Sequence, residues 1–117
     1  MLHVDERGYF SELVRSYSKS QCSYSVTKSG VTRGDHFHTR KIERFSVIQG
    51  EATIQMRKIG TDKLIEFKIN GEEPSYVDMP VWTTHNITNT GKEDLITIFW
   101  INEHYNSEDA DIYFEKV

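Results

Sequence analysis

The chain has one cysteine, two prolines and no long apolar run in its 117 residues. Cys22 alone cannot close an internal disulfide, and its flanks match no metal or redox motif, so it reads as a small strand residue. No stretch reaches the roughly 18 apolar residues of a membrane-crossing helix, and no signal-peptide core is visible. The simplest expectation is a cytoplasmic protein with no membrane role. Basic residues never run beyond two in a row and the formal net charge is −4, which excludes the clustered positive face of a nucleic-acid binder. Repeats, low-complexity tracts and Pro/Gly/Ser linkers are missing too, leaving one domain over residues 1–117. That length suffices to bury about two thirds of the unfolded surface. With 37% hydrophobic and 27% charged residues, the chain is not of the disordered class.

Long helical periodicity is also scarce. What is there is short, β-prone and regularly punctuated. Tyr9–Val14 reads as extended, and Ser23–Thr27 alternates before a turn at Lys28–Ser29–Gly30. Val31–Phe37 reads as a further strand. Glu43–Gln49 and Ala52–Arg57 flank Gly50–Glu51, a spacing that predicts a hairpin. Turns at Gly60–Thr61–Asp62, Asn70–Gly71 and Asn89–Thr90–Gly91 bracket strands at Leu64–Ile69, Ser75–Met79 and Thr84–Thr88. The apolar run Asp94–Ile101 allows a core helix, but its β-branched content favours a strand buried on both faces, with Phe99 and Trp100 in the core. Ser107–Asp111 suggests one helical turn. Many short strands with turns every 8–12 residues imply an all-β sandwich or barrel.

The chemistry concentrates in Gly34–Asp35–His36–Phe37–His38–Thr39–Arg40–Lys41–Ile42–Glu43. On an extended strand His36 and His38 share a face, and Glu43 follows at a metal-ligand spacing. His85 completes a set of three imidazoles and one carboxylate, which suits Zn²⁺, Fe²⁺, Mn²⁺ or Ni²⁺ without choosing among them. The bland alternative is four satisfied core or rim residues. His3 reads as solvent-facing, His104 as inert, and Asn89 as a turn-former rather than a ligand.

The spacing Gly30, His36, His38, Glu43, Gly50 resembles the first motif of the cupin superfamily at every position. The spacing Pro80, His85, Asn89 resembles its second, with Pro74 and Trp82 where glycines are usual. The resemblance implies a cupin-type antiparallel β-barrel, or jelly roll. Asp5–Glu6–Arg7–Gly8–Tyr9–Phe10–Ser11–Glu12 and Val31–Thr32–Arg33–Gly34–Asp35–His36 resemble segments of dTDP-4-dehydrorhamnose 3,5-epimerases. That likeness implies that Arg7 and Arg33 contact a nucleotide diphosphate, that Phe10 and Glu12 hold the base, and that His36 is the catalytic base. Nearly the whole chain is similar to the C-terminal cupin half of CapF-type bifunctional capsular polysaccharide enzymes. The likeness runs through Leu2–Gly8, Gly34–Phe45, Thr84–Gly91 and Trp100–Phe114, with departures at Thr39 and Trp82–Thr83. It implies bound zinc, carbon-3 epimerisation of a UDP-4-keto-6-deoxy-N-acetylhexosamine, an N-terminal short-chain reductase domain, and a homodimer with exchanged N-terminal strands. The first charged motif comes almost at the start of the chain, which fits a domain cut from a longer protein.

A 4-ketone acidifies the proton on carbon 3, so inversion there needs a base, a stabiliser of the developing oxyanion and a proton donor on the opposite face. His36 cannot offer one nitrogen both as ligand and as base. The preferred set is therefore His36, His38, Glu43 and His85 on the metal, with Tyr105, Tyr76 or a metal-bound water moving protons. The same ligands also serve an Fe²⁺ dioxygenase or another metal-dependent isomerase. A sugar-nucleotide-binding module without catalysis is the rival from a different class.

Overall fold

The computed structural model describes residues 2–117, and every regular element among them is a strand. One sheet runs in the spatial order β1 (Leu2–Asp5), β2 (Gly8–Arg15), β3 (Gln21–Thr27), β10 (Leu95–Ile101), β5 (Glu43–Gln49), β8 (Val77–Met79). The other runs β11 (Tyr113–Phe114), β4 (Thr32–Phe37), β9 (Thr83–Asn89), β6 (Glu51–Lys58), β7 (Leu64–Asn70). All pairings are antiparallel. The two sheets face each other across Phe45, Val47, Leu95 and Phe99 on one side and Ala52, Ile54, Met56 and Ile87 on the other. This is the two-sheet β-barrel that the motif spacing implied.

The period-2 pattern explains which residues turn inward. Ala52, Ile54 and Met56 on β6 are buried while Thr53, Gln55 and Arg57 are not. On β10 the same alternation buries Leu95, Thr97 and Phe99 and leaves Trp100 41% exposed. That corrects the expectation for this run, because its second face is only partly covered and Trp100 is outside the core. On β3 the inward residues are small or polar: Gln21, Ser23, Ser25 and Thr27. They cannot fill the barrel as Leu or Phe would, and an opening is left beside them.

Two further expectations are corrected. Glu43–Gln49 and Ala52–Arg57 do not pair as a hairpin. Gly50 passes the chain from the first sheet to the second, and β6 pairs with β7 and β9 instead. Gly50 has φ +92°, and a Cβ there would sit 3.0 Å from the carbonyl oxygen of Asp94, so the corner needs glycine. Ser107–Asp111 forms no helical turn. A bend closed by Asp109 N donating to Asn106 O leads into β11.

Candidate metal centre and cavity

β4 brings in His36, and His38 follows just beyond its end. Its pairing with β9 sets Arg33 opposite Ile87, Gly34 opposite Asn86 and His36 opposite His85, so Asp35 is an extra residue in a β-bulge. In an unbroken strand Arg33 and His36 would point to opposite faces. With the bulge absorbing the extra residue, Arg33, His36 and His38 all line the interior. Asp35 takes φ +58° and turns its carboxylate outward to accept from Asn86 Nδ2 at 3.0 Å and Val117 N at 3.2 Å. Gly34 is required by space, since a Cβ would lie 2.7 Å from the carbonyl oxygen of His85.

The fold gathers His36, His38, Glu43 and His85 so that one ligand atom from each lies within 4.8 Å of the others. The His36 ring centroid is 5.1 Å from that of His38 and 4.9 Å from that of His85. Each of the two buried imidazoles spends Nδ1 on a backbone carbonyl: His38 on Asp111 O at 2.7 Å, His85 on Thr83 O at 3.2 Å. Both therefore turn Nε2 toward Glu43, the arrangement that fixes a ligating histidine. His38 Nε2 bonds Glu43 Oε1, while His85 Nε2 lies 3.6 Å from the same oxygen and is buried with no hydrogen-bond partner. An orphaned buried nitrogen aimed at a carboxylate and two more imidazoles is what a divalent cation would satisfy. The donor set fits such an ion.

Electrostatics agree with that fit. Burial, aided by neighbouring His85, pushes the His36 pKa down to about 4, so its ring is neutral with a free lone pair. Burial also works against the Glu43 carboxylate, but His38 and His85 outweigh it and hold its pKa well below the usual range. For His38 burial is again opposed, here by the Glu43 hydrogen bond, and the net direction is upward.

The cluster opens into a cavity of about 730 Å³, within the usual span for small-molecule sites. Arg7, Phe10, Glu12, Arg33 and Tyr105 all line it, so the residues singled out from sequence converge. Arg7 grips Asp5 through Nη2 at 2.5 Å, with Nε 3.1 Å from the same oxygen. Arg33 bonds Thr27 Oγ1 at 2.7 Å and the carbonyls of Tyr9 and Val26. Nη1 of each arginine has no protein acceptor among the described residues. Burial and then the nearby Arg7 press the Arg33 pKa down, so two like charges face each other with donors to spare. Phe10 leans on Phe99 with ring centroids 5.9 Å apart, and Glu12 pairs with Arg15 at 2.6 Å.

Other placements differ from the sequence reading. Tyr76 is not at the site: it lies 58% exposed, with the Arg44 guanidinium 3.8 Å from its ring centroid and away from the cavity lining. It carries no proton-transfer role. His3 is exposed as expected, yet it borders the cavity rim. Asn89 is a buried tie, donating to Thr27 O and Glu93 O at 2.9 Å and accepting from Gly91 N. His104 bonds Ser16 O at 3.1 Å, outside the lining.

Two contributors went unread in the sequence. Asp111, whose carbonyl orients His38, also turns its carboxylate onto the N–H groups of Thr39, Arg40 and Lys41 at 2.9–3.1 Å. These bonds outweigh burial and keep its pKa well below the carboxylate range. Its one visible mark was its place beside Ile112–Tyr113–Phe114. Lys41, 3% exposed, lines the cavity between two ligands.

Comparison with known proteins agrees with this architecture. Residues 3–113 match the polysaccharide biosynthesis C-terminal domain. The chain is 40% identical over 113 residues to a UDP-2-acetamido-2,6-beta-L-arabino-hexul-4-ose reductase of Pseudomonas aeruginosa, covering 96% of this chain but 30% of that protein. It is 24% identical over 121 residues to the spore coat polysaccharide biosynthesis protein SpsL of Bacillus subtilis, covering 95% of this chain and 80% of that protein. The crystal structure of the capsular polysaccharide assembling protein CapF from Staphylococcus aureus superposes with a TM-score of 0.98 at 38% identity, over all of this chain and 32% of that one. An oxalate decarboxylase from Lactobacillus farciminis shares the fold alone, at TM-score 0.76 and 19% identity over 88% of this chain and 31% of its own. The chain thus spans about a third of the reductase and of CapF, at the C-terminal end of the former. A cupin barrel with a three-histidine, one-glutamate centre, matched over nearly its full length, belongs to the polysaccharide biosynthesis C-terminal domain family.

Proposed function

We propose that this domain catalyses metal-dependent epimerisation at carbon 3 of a UDP-4-keto-6-deoxy-N-acetylhexosamine, in the synthesis of a capsular or other surface polysaccharide. The observation that carries the reading is the convergence of the four-ligand centre and the Arg7–Arg33 pair on one cavity. The Pseudomonas relative is named for a UDP-linked 2-acetamido-hexul-4-ose, a ketosugar of the class proposed here.

A divalent cation, Zn²⁺ for preference, supplies Lewis-acid polarisation of a ketone oxygen when bound by His36, His38, Glu43 and His85. Arg7 and Arg33 hold the diphosphate through their unspent donors, since a planar guanidinium makes short charge-assisted bonds to phosphate oxygens. Phe10 offers its ring to the base, and Glu12, steadied by Arg15, accepts from it. The place of His36 among the ligands favours its metal role over its role as base. Tyr105, on the cavity wall and half exposed, is assigned to proton transfer.

Deuterium incorporation at carbon 3 of a UDP-4-ketosugar in D₂O tests the reading. Exchange that depends on the metal and disappears in His38→Ala is expected. Nucleotide binding without exchange overturns it in favour of a binding module, and oxygen uptake with bound iron in favour of a dioxygenase. We also propose a homodimer and, in the full-length protein, a reductase domain N-terminal to this one. In this chain β1 pairs with its own β2, Leu2 opposite Ser11 through Asp5 opposite Gly8, and every residue of β1 is exposed. An exchanged strand would make the same bonds to the partner's β2. A monomer by sedimentation would remove the dimer.

A further inference from the structure

The cavity holds three carboxylates, and each is already engaged. Asp5 binds Arg7, Glu12 binds Arg15 and Glu43 binds His38. Lys41 has none of them. Its backbone N–H is held by Asp111 Oδ2 at 3.1 Å, its ammonium lies 5.7 Å from the Tyr105 ring centroid, and no hydrogen bond or ion pair to Nζ exists among the described residues. The residue is 3% exposed as a whole, yet Nζ is not among the fully buried polar atoms, so the ammonium faces the cavity. With no protein partner, it is open to an acceptor on whatever fills that cavity.

The strand register says which part of a ligand that is. Arg33 is tied to Thr27 at one end of β3. At the other end, Gln21 accepts from Tyr105 N at 3.0 Å and lies level with Ile101, which lies level with Glu43. Lys41 precedes Glu43 by two residues, so it shares the metal level. On β4 itself Arg33 and the cluster residue His36 face Ile87 and His85, two residues apart on β9, roughly 7 Å. The arginine and the lysine thus reach the cavity from neighbouring levels, one beside Arg7 and the other beside His38, whose ring shares the Asp111 clamp with the Lys41 N–H.

We propose that Lys41 is a catalytic residue whose ammonium donates to the ketone oxygen of the sugar beside the metal centre, while the arginine pair holds the diphosphate. This rests on the function proposed above and names the protein group at its reacting end. The ammonium acts as a fixed cation, and no proton leaves it. Its hydrogen bond strengthens as negative charge grows on the oxygen, which is the condition for accelerating a reaction rather than merely binding its substrate. The Tyr105 ring and the Asp111 clamp keep it in place.

The test compares wild type, Lys41→Met and Lys41→Arg. Methionine retains much of the buried stem and removes the charge, and arginine keeps the charge. Metal content and thermal midpoint are the folding controls. Calorimetry with UDP reads the arginine end, and carbon-3 deuterium exchange of a UDP-2-acetamido-4-ketosugar reads the other. Lys41→Met is expected to keep its metal and bind UDP within about twofold while exchange slows about 100-fold, with Lys41→Arg between it and wild type. Exchange at the wild-type rate in Lys41→Met overturns the proposal, as does a loss of UDP affinity that parallels the loss of exchange. If Lys41→Met fails to fold, a well-folded Lys41→Arg exchanging no faster than a His38→Ala control overturns it. Should wild type itself show no exchange, the epimerase reading fails separately, and equal ketosugar affinities of wild type and Lys41→Met then overturn the lysine contact.

Discussion

Asp111 lies 73 residues beyond the histidine it orients and does two jobs with two oxygen types. Its carbonyl fixes the His38 ring, and its carboxylate caps three successive N–H groups of the 39–41 loop. Asp111→Ala strips the acceptor from that loop and should cost about 3 kcal/mol in urea denaturation. Metal affinity should fall about 10- to 100-fold in competition with a chelating dye, as for other outer-shell partners of ligating histidines. Asp111→Asn should recover part of both, because asparagine tolerates the φ of +53° found there. Trp82 is the second residue of note. It replaces a motif glycine yet keeps a left-handed backbone at φ +55°, donating to His38 O at 2.7 Å and stacking on Phe37 at 5.6 Å. Trp82→Ala keeps the strain and loses the stacking, whereas Trp82→Gly loses both. The glycine variant should therefore be the more stable of the two by about 1 kcal/mol, measured by chemical denaturation.

At the level of strands, Gly34 is the tightest point in the site. Any Cβ there meets the carbonyl of His85 and forces β4 away from β9. Gly34→Ala should lower stability by about 2–4 kcal/mol in urea denaturation and weaken metal binding with it, since His36 and His85 ride on the two strands being separated. The alternating pattern made most strands readable from sequence, because one buried face leaves a period of two. It did not reveal which sheet a strand joins. Gly50–Glu51 carries the same turn chemistry whether the chain doubles back or crosses over, so the supposed hairpin was really a corner. Trp100 misled for a related reason, since hydrophobicity marks a face as apolar without saying what covers it. The clustering of His36, His38, Glu43 and His85 was legible through spacing. Asp111 and Lys41 were not, because their roles depend on a contact between distant loops and on the absence of a counter-charge.

For the molecule as a whole, the His36–His38–Glu43–His85 cluster joins β4 and β9 of one sheet to β5 of the other. A cation binding the folded form alone, at about a thousand times its dissociation constant, adds about 4 kcal/mol. At about 4 °C or more per kcal/mol for a domain near this size, chelation should lower the thermal midpoint by about 15 °C or more in calorimetry. Loss of much less would mean that the sheets are held by their apolar side chains alone. The bulge at Asp35 sets a different kind of limit. Arg33 and His36 belong to opposite phases of a pleated strand and share an interior through one surplus residue. The spacing between them is consequently tied to the bulge. An odd spacing, as here, needs the surplus residue to bring Arg33 and His36 to one face, and an even spacing needs none. Relatives with one residue fewer between these positions should carry both side chains inward on a regular, unbulged strand.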